Sequence, residues 1–465
     1  MAVVRSVGQV GGGDQGELRR FRGEVYDCFD RRADALFDLV DGICAPVTVA
    51  GVAYLSLAPG ARRGHGAGYA ALSAGRIDED LLRDVLAGFR PSRWRPDFAV
   101  DASVWARCDA ECSPGRGFYH HPGRSSAGQP IVAGWCYSWL VGLSAGSDSW
   151  TAPLDARRLQ VSDNANLVAV GQIRAMLARL GPLGQAPLVA FDGGYDPVQL
   201  SVELAGTGAQ IVVRVRDDRA FYARPAPRTG GRGGAPRRHG AKVSCADPSS
   251  WPAPDVTLET DHEVYGRVQV TAWHRLHPKQ RTYRDPGGAL RIVEGTLIRL
   301  RVSRLPGRRE REPKTVWLWW HGPAESDLDL DRVWRCYLRR FDIEHMFRFA
   351  KQVLGWTVPK LRTPEQADRW TWLILTALTQ LRLARHLVAD HRLPWQRPQP
   401  AGRFTPGRVR RGFGQLLPAI GSPASAPKPT RPGPGRPKGS RSTPADRHPA
   451  IKKNQVKTPK RRNRR

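Results

Sequence analysis

The chain has 465 residues, with 73 Lys and Arg against 43 Asp and Glu and a formal net charge of +30; the length supports two or three domains with a large core, and the charge calls for a polyanionic partner, of which nucleic acid is the commonest. Seven cysteines scattered over so long a chain do not make a secreted disulfide framework. No apolar run reaches the roughly 18 residues of a membrane span, and Met1-Ala-Val-Val-Arg-Ser6 lacks a signal peptide's apolar core, so a reducing cytoplasm and no membrane partner are expected.

Residues 1–92 read as a small helical N-terminal domain behind a Gly-rich start. Residues 21–45 carry helical patterning. In 76–90, Ile77, Leu81, Leu82, Val85 and Leu86 recur at helical spacing, with Asp78 placed to cap the start. Between them, residues 60–69 are rich in Gly, Arg and His and could touch DNA; a helix-turn-helix is one form such a domain takes.

Residues 93–220 alternate between strand-like and helical segments. Strands are expected at 98–104, 131–143, 187–191 and 209–216, and helices at 164–180 and 197–205. Strands feeding helices in this order indicate an α/β domain. Residues 221–325 change character. Gly, Pro and Arg dominate 223–240, a loop by composition, and period-two segments follow. Ile298, Leu300 and Val302 share one face and Arg299 and Arg301 the other, which describes a half-buried strand with basic residues outward. This part is expected to be an antiparallel β insertion within the α/β domain. Residues 326–395 hold a helix over 331–355 and a helical hairpin at 364–390. Residues 396–465 are Pro-rich, basic and increasingly poor in large apolar side chains, a composition that cannot bury a core and reads as a disordered tail. Of the net charge, +13 falls on 421–465 and +17 on the rest, so the body is basic in its own right.

The most informative stretch is 337–351. Tyr337, Arg340, Glu344 and Lys351 fall on one helix within a stripe roughly 60° wide, at about 100° per residue. A carboxylate, two cations and a phenol on one narrow face suit a metal ion held beside a phosphate; Arg340 and Glu344 also make an ordinary i, i+4 pair. Two-metal phosphoryl transfer needs further carboxylates, because hard divalent cations take oxygen ligands. Asp101 lies inside the apolar run Phe98-Ala-Val-Asp-Ala-Ser-Val104, where an unpaired carboxylate is costly. Asp192 ends the strand at 187–191, and Gly193-Gly194 let the backbone turn close to a ligand at a strand's carboxyl end. Asp196, Asp217, Asp218 and Asp342 are nearby decoys, and Asp342 is about 160° from Glu344 around the helix.

The Y-x2-R-x3-E-x6-K spacing of Tyr337, Arg340, Glu344 and Lys351 resembles the Tyr-Arg-Glu-Lys signature of DDE-type insertion-sequence transposases, and matches it at all four positions. Asp101, Asp192 and Glu344 look like the three acids of that family, and the resemblance spans roughly residues 95–355. It implies a ribonuclease H-like catalytic domain with a β insertion between the second and third acids. It implies that the three acids are catalytic and hold two Mg²⁺ ions, with Mn²⁺ able to substitute. It implies that Tyr337, Arg340 and Lys351 contact the transposon end. The implied reaction is hydrolytic nicking of double-stranded DNA at the transposon ends, then attack of the freed 3′-hydroxyl on target DNA. A homodimer or higher oligomer on DNA, in a bacterial cytoplasm and associated with the nucleoid, goes with this reading. A metal-dependent nuclease of the same fold, or a catalytically retired DNA-binding derivative, are the alternatives.

Trp317, Trp319 and Trp320 sit together on a strand before the signature, with Trp317 and Trp319 on one face. The resemblance marks Trp317 and Trp319 as candidates to stack on a base flipped from the DNA end, with Trp273 and Trp320 competing; burial in a core is the commoner fate of a tryptophan. Pro434-Gly-Arg-Pro-Lys-Gly439 resembles an AT-hook core, with Arg436 and Lys438 as its minor-groove cations. A basic tail binding phosphates without sequence preference is the competing reading.

Overall fold

A computed structural model of the chain describes residues 12–120, 130–144, 146, 148–226, 237–285, 287–307, 312–324, 327–429, 435, 437–441 and 443–453. The chain forms two compact units, each assembled from separate stretches. The first draws on Met1–Arg93, Ala102–Asp163 and Asp342–Arg465, the second on Trp94–Asp101 and Asn164–Phe341.

The first unit opens with α1 (Gly12–Asp27), β1 (Phe29–Arg31), α2 (Ala33–Cys44), α3 (Val52–Leu55), α4 (His65–Ala74), β2 (Arg76–Ile77) and α5 (Glu79–Gly88); β1 and β2 pair antiparallel. α2 buries Leu36, Phe37, Leu39, Val40 and Ile43, the stripe its sequence spacing predicts. The α5 start is capped as expected, with the Asp78 carboxylate accepting from the Asp80 and Leu81 N–H groups. In the stretch 60–69, Arg62 and Arg63 both pair with Asp38.

β3 (Asp97–Ala106) is where the chain passes between units, residues 97–101 belonging to the second and 102–106 to the first. β4 (Gly117–His120), β5 (Ile131–Leu143) and β6 (Thr151–Leu159) then make an antiparallel meander in the first unit. β5 is one continuous strand, buried from Gly134 to its end, which is why its sequence runs apolar instead of alternating. Gly134 is required there: a Cβ would come within 2.2 Å of the Trp105 carbonyl oxygen. β6 has no counterpart among the sequence expectations. Its pattern is obscured by Pro153 at a register shift opposite Leu140 and Val141, and by buried Asp155, which pairs with Arg83 and Arg157 at 2.8 Å each.

The second unit continues with α6 (Ala165–Leu180), β7 (Leu188–Phe191), α7 (Pro197–Glu203) and β8 (Gln210–Val215), close to the expected spans. The 97–101 part of β3, β7 and β8 run parallel. β9 (Ala220–Tyr222), β10 (Lys242–Ser244), β11 (Val256–His262), β12 (Gly266–Pro278), β13 (Gly295–Val302) and β14 (Val316–His321) follow, and all their pairings are antiparallel. They extend the parallel strands: β14 pairs with β8, Trp319 opposite Val213, and the order runs β10-β9-β12-β13-β14-β8-β7-β3, with β11 on β12. The unit is a mixed α/β structure, and ends with α8 (Leu330–Arg339), capped by Asp329.

The single helix expected over 331–355 is two. α8 stops at Arg339 and α9 (Phe341–Gln352) starts after Arg340, whose dihedrals stay helical. The Arg340 N–H is shared between the carbonyls of Cys336 and Tyr337, at 3.0 and 3.2 Å, a locally tightened turn. The hairpin expected at 364–390 is one helix, α10 (Pro364–Leu383), followed by a 3-10 turn at Ala384–His386. Nothing inside 364–383 breaks a helix, and Thr363 and Gln366 form a capping box at its start. α10 is the axis of the first unit, packing against α1, α2, α4, α5 and β6.

The tail expected to start at 396 carries α11 (Pro406–Ile420), which buries Val409, Phe413, Leu416 and Ile420. Their i, i+4, i+7, i+11 spacing is helical; the surrounding Arg, Gly and Pro hid it. Arg410 belongs to that packing, donating to the Ile43 and Val47 carbonyls at 2.9 and 2.8 Å. Among the described residues no helix is long and apolar enough to cross a membrane.

Candidate active site

Asp101 and Asp192 stand side by side. The last paired rung of parallel β3 and β7 is Val100 opposite Phe191. Each aspartate follows directly, at the same level of adjacent strands about 4.8 Å apart. Carboxylates at the ends of neighbouring strands repel unless cations intervene. Asp101 meets one: Arg340 Nη1 donates to its Oδ2 at 2.8 Å, the two side chains being 4% and 15% exposed. Asp192 sits at the turn that leaves β7, its Oδ1 accepting the Gly194 N–H at 2.8 Å. Arg214 of β8 packs against that turn, its Cγ and Cδ at 3.9 Å from where a Gly193 Cβ would be.

Tyr337 completes the cluster in the second unit. It is buried, and the Arg340 guanidinium lies 5.9 Å from its ring centroid and 5.1 Å from that of Phe341. Burial pushes the Tyr337 hydroxyl up; Arg340 and Arg214 oppose the rise and Asp192 adds to it. The phenol is therefore a proton donor at any physiological pH. The structure thus brings together four of the predicted residues, Asp101, Asp192, Tyr337 and Arg340. It adds Arg214, which the sequence reading passed over. Its signal was there: one cation inside the apolar strand Ile211-Val-Val-Arg-Val215, next to the strand that carries Asp192.

Glu344 and Lys351 lie on α9, in the first unit. Glu344 is exposed. Lys351 is half-buried with its Nζ 5.6 Å from the Trp356 ring centroid, and burial pulls its pKa down. Of the decoys, Asp196 caps α7, Asp218 pairs with Arg216 at 3.2 Å, Asp342 is buried and Asp217 is exposed.

Trp317 and Trp319 are corrected from DNA contacts to core. Trp319 is fully buried, stacks on Phe221 at 5.4 Å and donates its Nε1–H to Ser201 Oγ at 3.1 Å. Trp317 is 3% exposed and packs against Trp251 and Trp273 at 5.3 and 5.8 Å. Trp320 and Trp273 are buried too. Of the AT-hook cations, Arg436 lies outside the described residues, and Lys438 is exposed.

Among the described residues no three His, Cys, Asp or Glu side chains form a group that could hold a metal ion. The predicted donors are nonetheless all carboxylates, the ligand type hard divalent cations take, and two of them share one strand level. In kind, the donors fit such an ion.

Residues 24–279 match the family described as DDE superfamily endonuclease. The match covers a little over half of the chain, takes in Asp101 and Asp192, and ends before Tyr337. No curated protein matches the chain.

Proposed function

We propose, starting from the fact that the chain belongs to the DDE superfamily endonuclease family, that it is a DNA transposase which cuts the ends of an insertion sequence and joins them to target DNA. Membership brings divalent-metal-dependent DNA cleavage. One observation supports the finer reading. Arg340, a member of the Tyr-Arg-Glu-Lys spacing, touches Asp101 from 239 residues away in sequence. That contact ties one residue of the spacing to the first acid, beside parallel strands that suit a ribonuclease H-like reading.

Asp101, Asp192 and Glu344 are the residues that would hold the divalent ions, which when bound activate the attacking oxygen and stabilise the leaving one. Arg340 offers a planar fork to two non-bridging phosphate oxygens. Tyr337 keeps its proton and donates to the same phosphate. Lys351 acts as a point charge on the neighbouring backbone. Water attacks first, and the freed 3′-hydroxyl then attacks a target phosphate, both in line with the leaving oxygen. No covalent link to the protein is needed. The working form on two DNA ends is a homodimer or higher oligomer.

The test is strand joining. Linear DNA carrying the ends of the element, with Mg²⁺ and a target plasmid, should give cleaved ends and joined products. Cleavage without joining would favour the nuclease alternative, and neither activity would overturn the reading.

A further inference from the structure

A second feature of the second unit adjoins the predicted site. A cleft of about 690 Å³ opens where β8 stops and β14 begins, with Asp192 in its wall. That volume is within the roughly 300–1,000 Å³ of ligand clefts, more than a lone phosphate needs and far too little for a duplex. Its lining is cationic: Arg214, Arg216, Arg299 and Lys314 face it, against Asp192 and Asp217.

Most arginines of this fold have carboxylate or carbonyl partners. Among the described residues Arg214, Arg299 and Lys314 have no carboxylate partner, while Arg216 has only the exposed Asp218, at 3.2 Å. Exposed pairs of that kind hold weakly. Arg299 is fixed by packing, its guanidinium 4.7 Å from the Trp251 ring centroid, and its Nε is buried without a partner. Folding stability does not call for unpaired cations around a cleft. A phosphodiester chain does, since each phosphate takes one guanidinium or ammonium and releases a counterion.

We infer that this cleft holds the sugar–phosphate backbone of a single DNA strand adjoining the phosphate cut beside Asp192, with Arg214, Arg216, Arg299 and Lys314 on successive phosphates. The inference rests on the endonuclease reading of Asp192. Apart from Arg214, which also borders the Asp192 turn, it assigns a substrate-holding role to residues outside the catalytic constellation.

The test compares the full chain with Arg216→Gln/Lys314→Gln, both exposed positions. Binding to a 20-nucleotide oligothymidine is followed by fluorescence anisotropy in EDTA over a range of salt. Each lost phosphate contact on a single strand should flatten the slope of log affinity against log salt by about 0.7. The double variant should therefore lose about 1.4, and adding Arg299→Gln about 0.7 more. A control, Arg20→Gln/Arg76→Gln, removes two exposed cations of the first unit and should leave the slope nearly unchanged. An unchanged slope in the cleft variant, or equal flattening in the control, overturns the proposal. Mg²⁺-dependent cleavage by the unaltered chain is measured in parallel. If it cleaves while the cleft variant binds normally, the cleft assignment fails alone; if it never cleaves DNA, the endonuclease reading fails.

Discussion

Asp101 and Arg340 show how burial changes what a single substitution can report. Asp101→Asn, Asp192→Asn and Glu344→Gln change little volume, and each should abolish Mg²⁺-dependent cleavage while leaving most DNA affinity. Near-normal cleavage by any one, in a gel assay on linear DNA, would remove that residue from the catalytic set. Arg340→Ala is different. It strips the cation from a mostly buried carboxylate, which should destabilise the fold by about 3 kcal/mol. Its lost cleavage would then confound folding with chemistry. Arg340→Lys keeps the charge but not the fork, and should melt close to the parent while cleaving far more slowly. Equal losses in melting temperature for both would reduce Arg340 to a structural role. The acids were legible in the sequence because a carboxylate inside an apolar run, or beside a Gly-Gly turn, has few bland explanations. Arg214 was passed over despite its apolar surroundings, since a lone arginine on a strand reads as an outward-facing side chain. The tryptophans misled because alternation fixes which rings share a face and says nothing of whether that face is covered.

Among the elements, the corner of β9, β10 and β12 carries a pH dependence. His277 of β12 is buried and its Nε2 lies 2.9 Å from His239 Nδ1, with the rings stacked at 5.1 Å. That contact needs one ring to donate and the other to accept, so both cannot be protonated. Burial leads in pulling both pKa values below 6.5, with Lys279 and Arg238 adding for His239, and His239 itself adding for His277. The unfolded chain then binds more protons than the folded one as pH falls below 6.5, so the stabilisation present above that pH is lost on acidification. Melting temperature should fall between pH 7 and 5, and His239→Ala should flatten that fall. An identical pH profile in the variant would assign the acid sensitivity elsewhere.

The tail separates into two parts by the same kind of reasoning. Truncation after residue 395 removes α11 and its buried Val409, Phe413, Leu416 and Ile420, and should lower the melting temperature sharply. Truncation after 429 should lower melting less, by loss of the Ile451 bridge to Gly117 and the Arg116 bond to the His448 carbonyl, yet flatten the salt dependence of duplex binding, since 430–465 is dense in Lys and Arg. Unchanged melting in the first, or an unchanged slope in the second, would contradict the division. Element existence was readable wherever one periodicity dominated, as in α5, α6 and β7. It failed for β6, where a bulge and a buried ion pair break the pattern, and for α11, where charge conceals four apolar positions. The break at Arg340 leaves no sequence trace, because the residue keeps helical dihedrals.

Across the whole molecule, basicity and family membership agree on DNA, and the α/β class followed from the order of strands and helices. The grouping of segments did not follow. Sequence reasoning treats neighbours along the chain as neighbours in a domain, and assigned residues 1–92 to a domain of their own. In the structure α10, nearly 300 residues downstream, supplies the surface those helices pack on. Hydrophobic periodicity says that a face is buried without saying what covers it.

The same division of the chain has a consequence for how the protein comes into being. The second unit is complete once residue 341 has been made, whereas the first still lacks α10 and α11. During synthesis, at roughly 5–20 residues per second, α1, α2, α4 and α5 leave the ribosome early. They must wait for the helix against which they settle. In that interval their apolar faces lack the surface that covers them in the finished fold. A nascent chain stalled at residue 341 should lose its first 93 residues to brief proteolysis, and the released full-length chain should keep them. Folding of the first unit is thereby tied to the synthesis of α10 and α11.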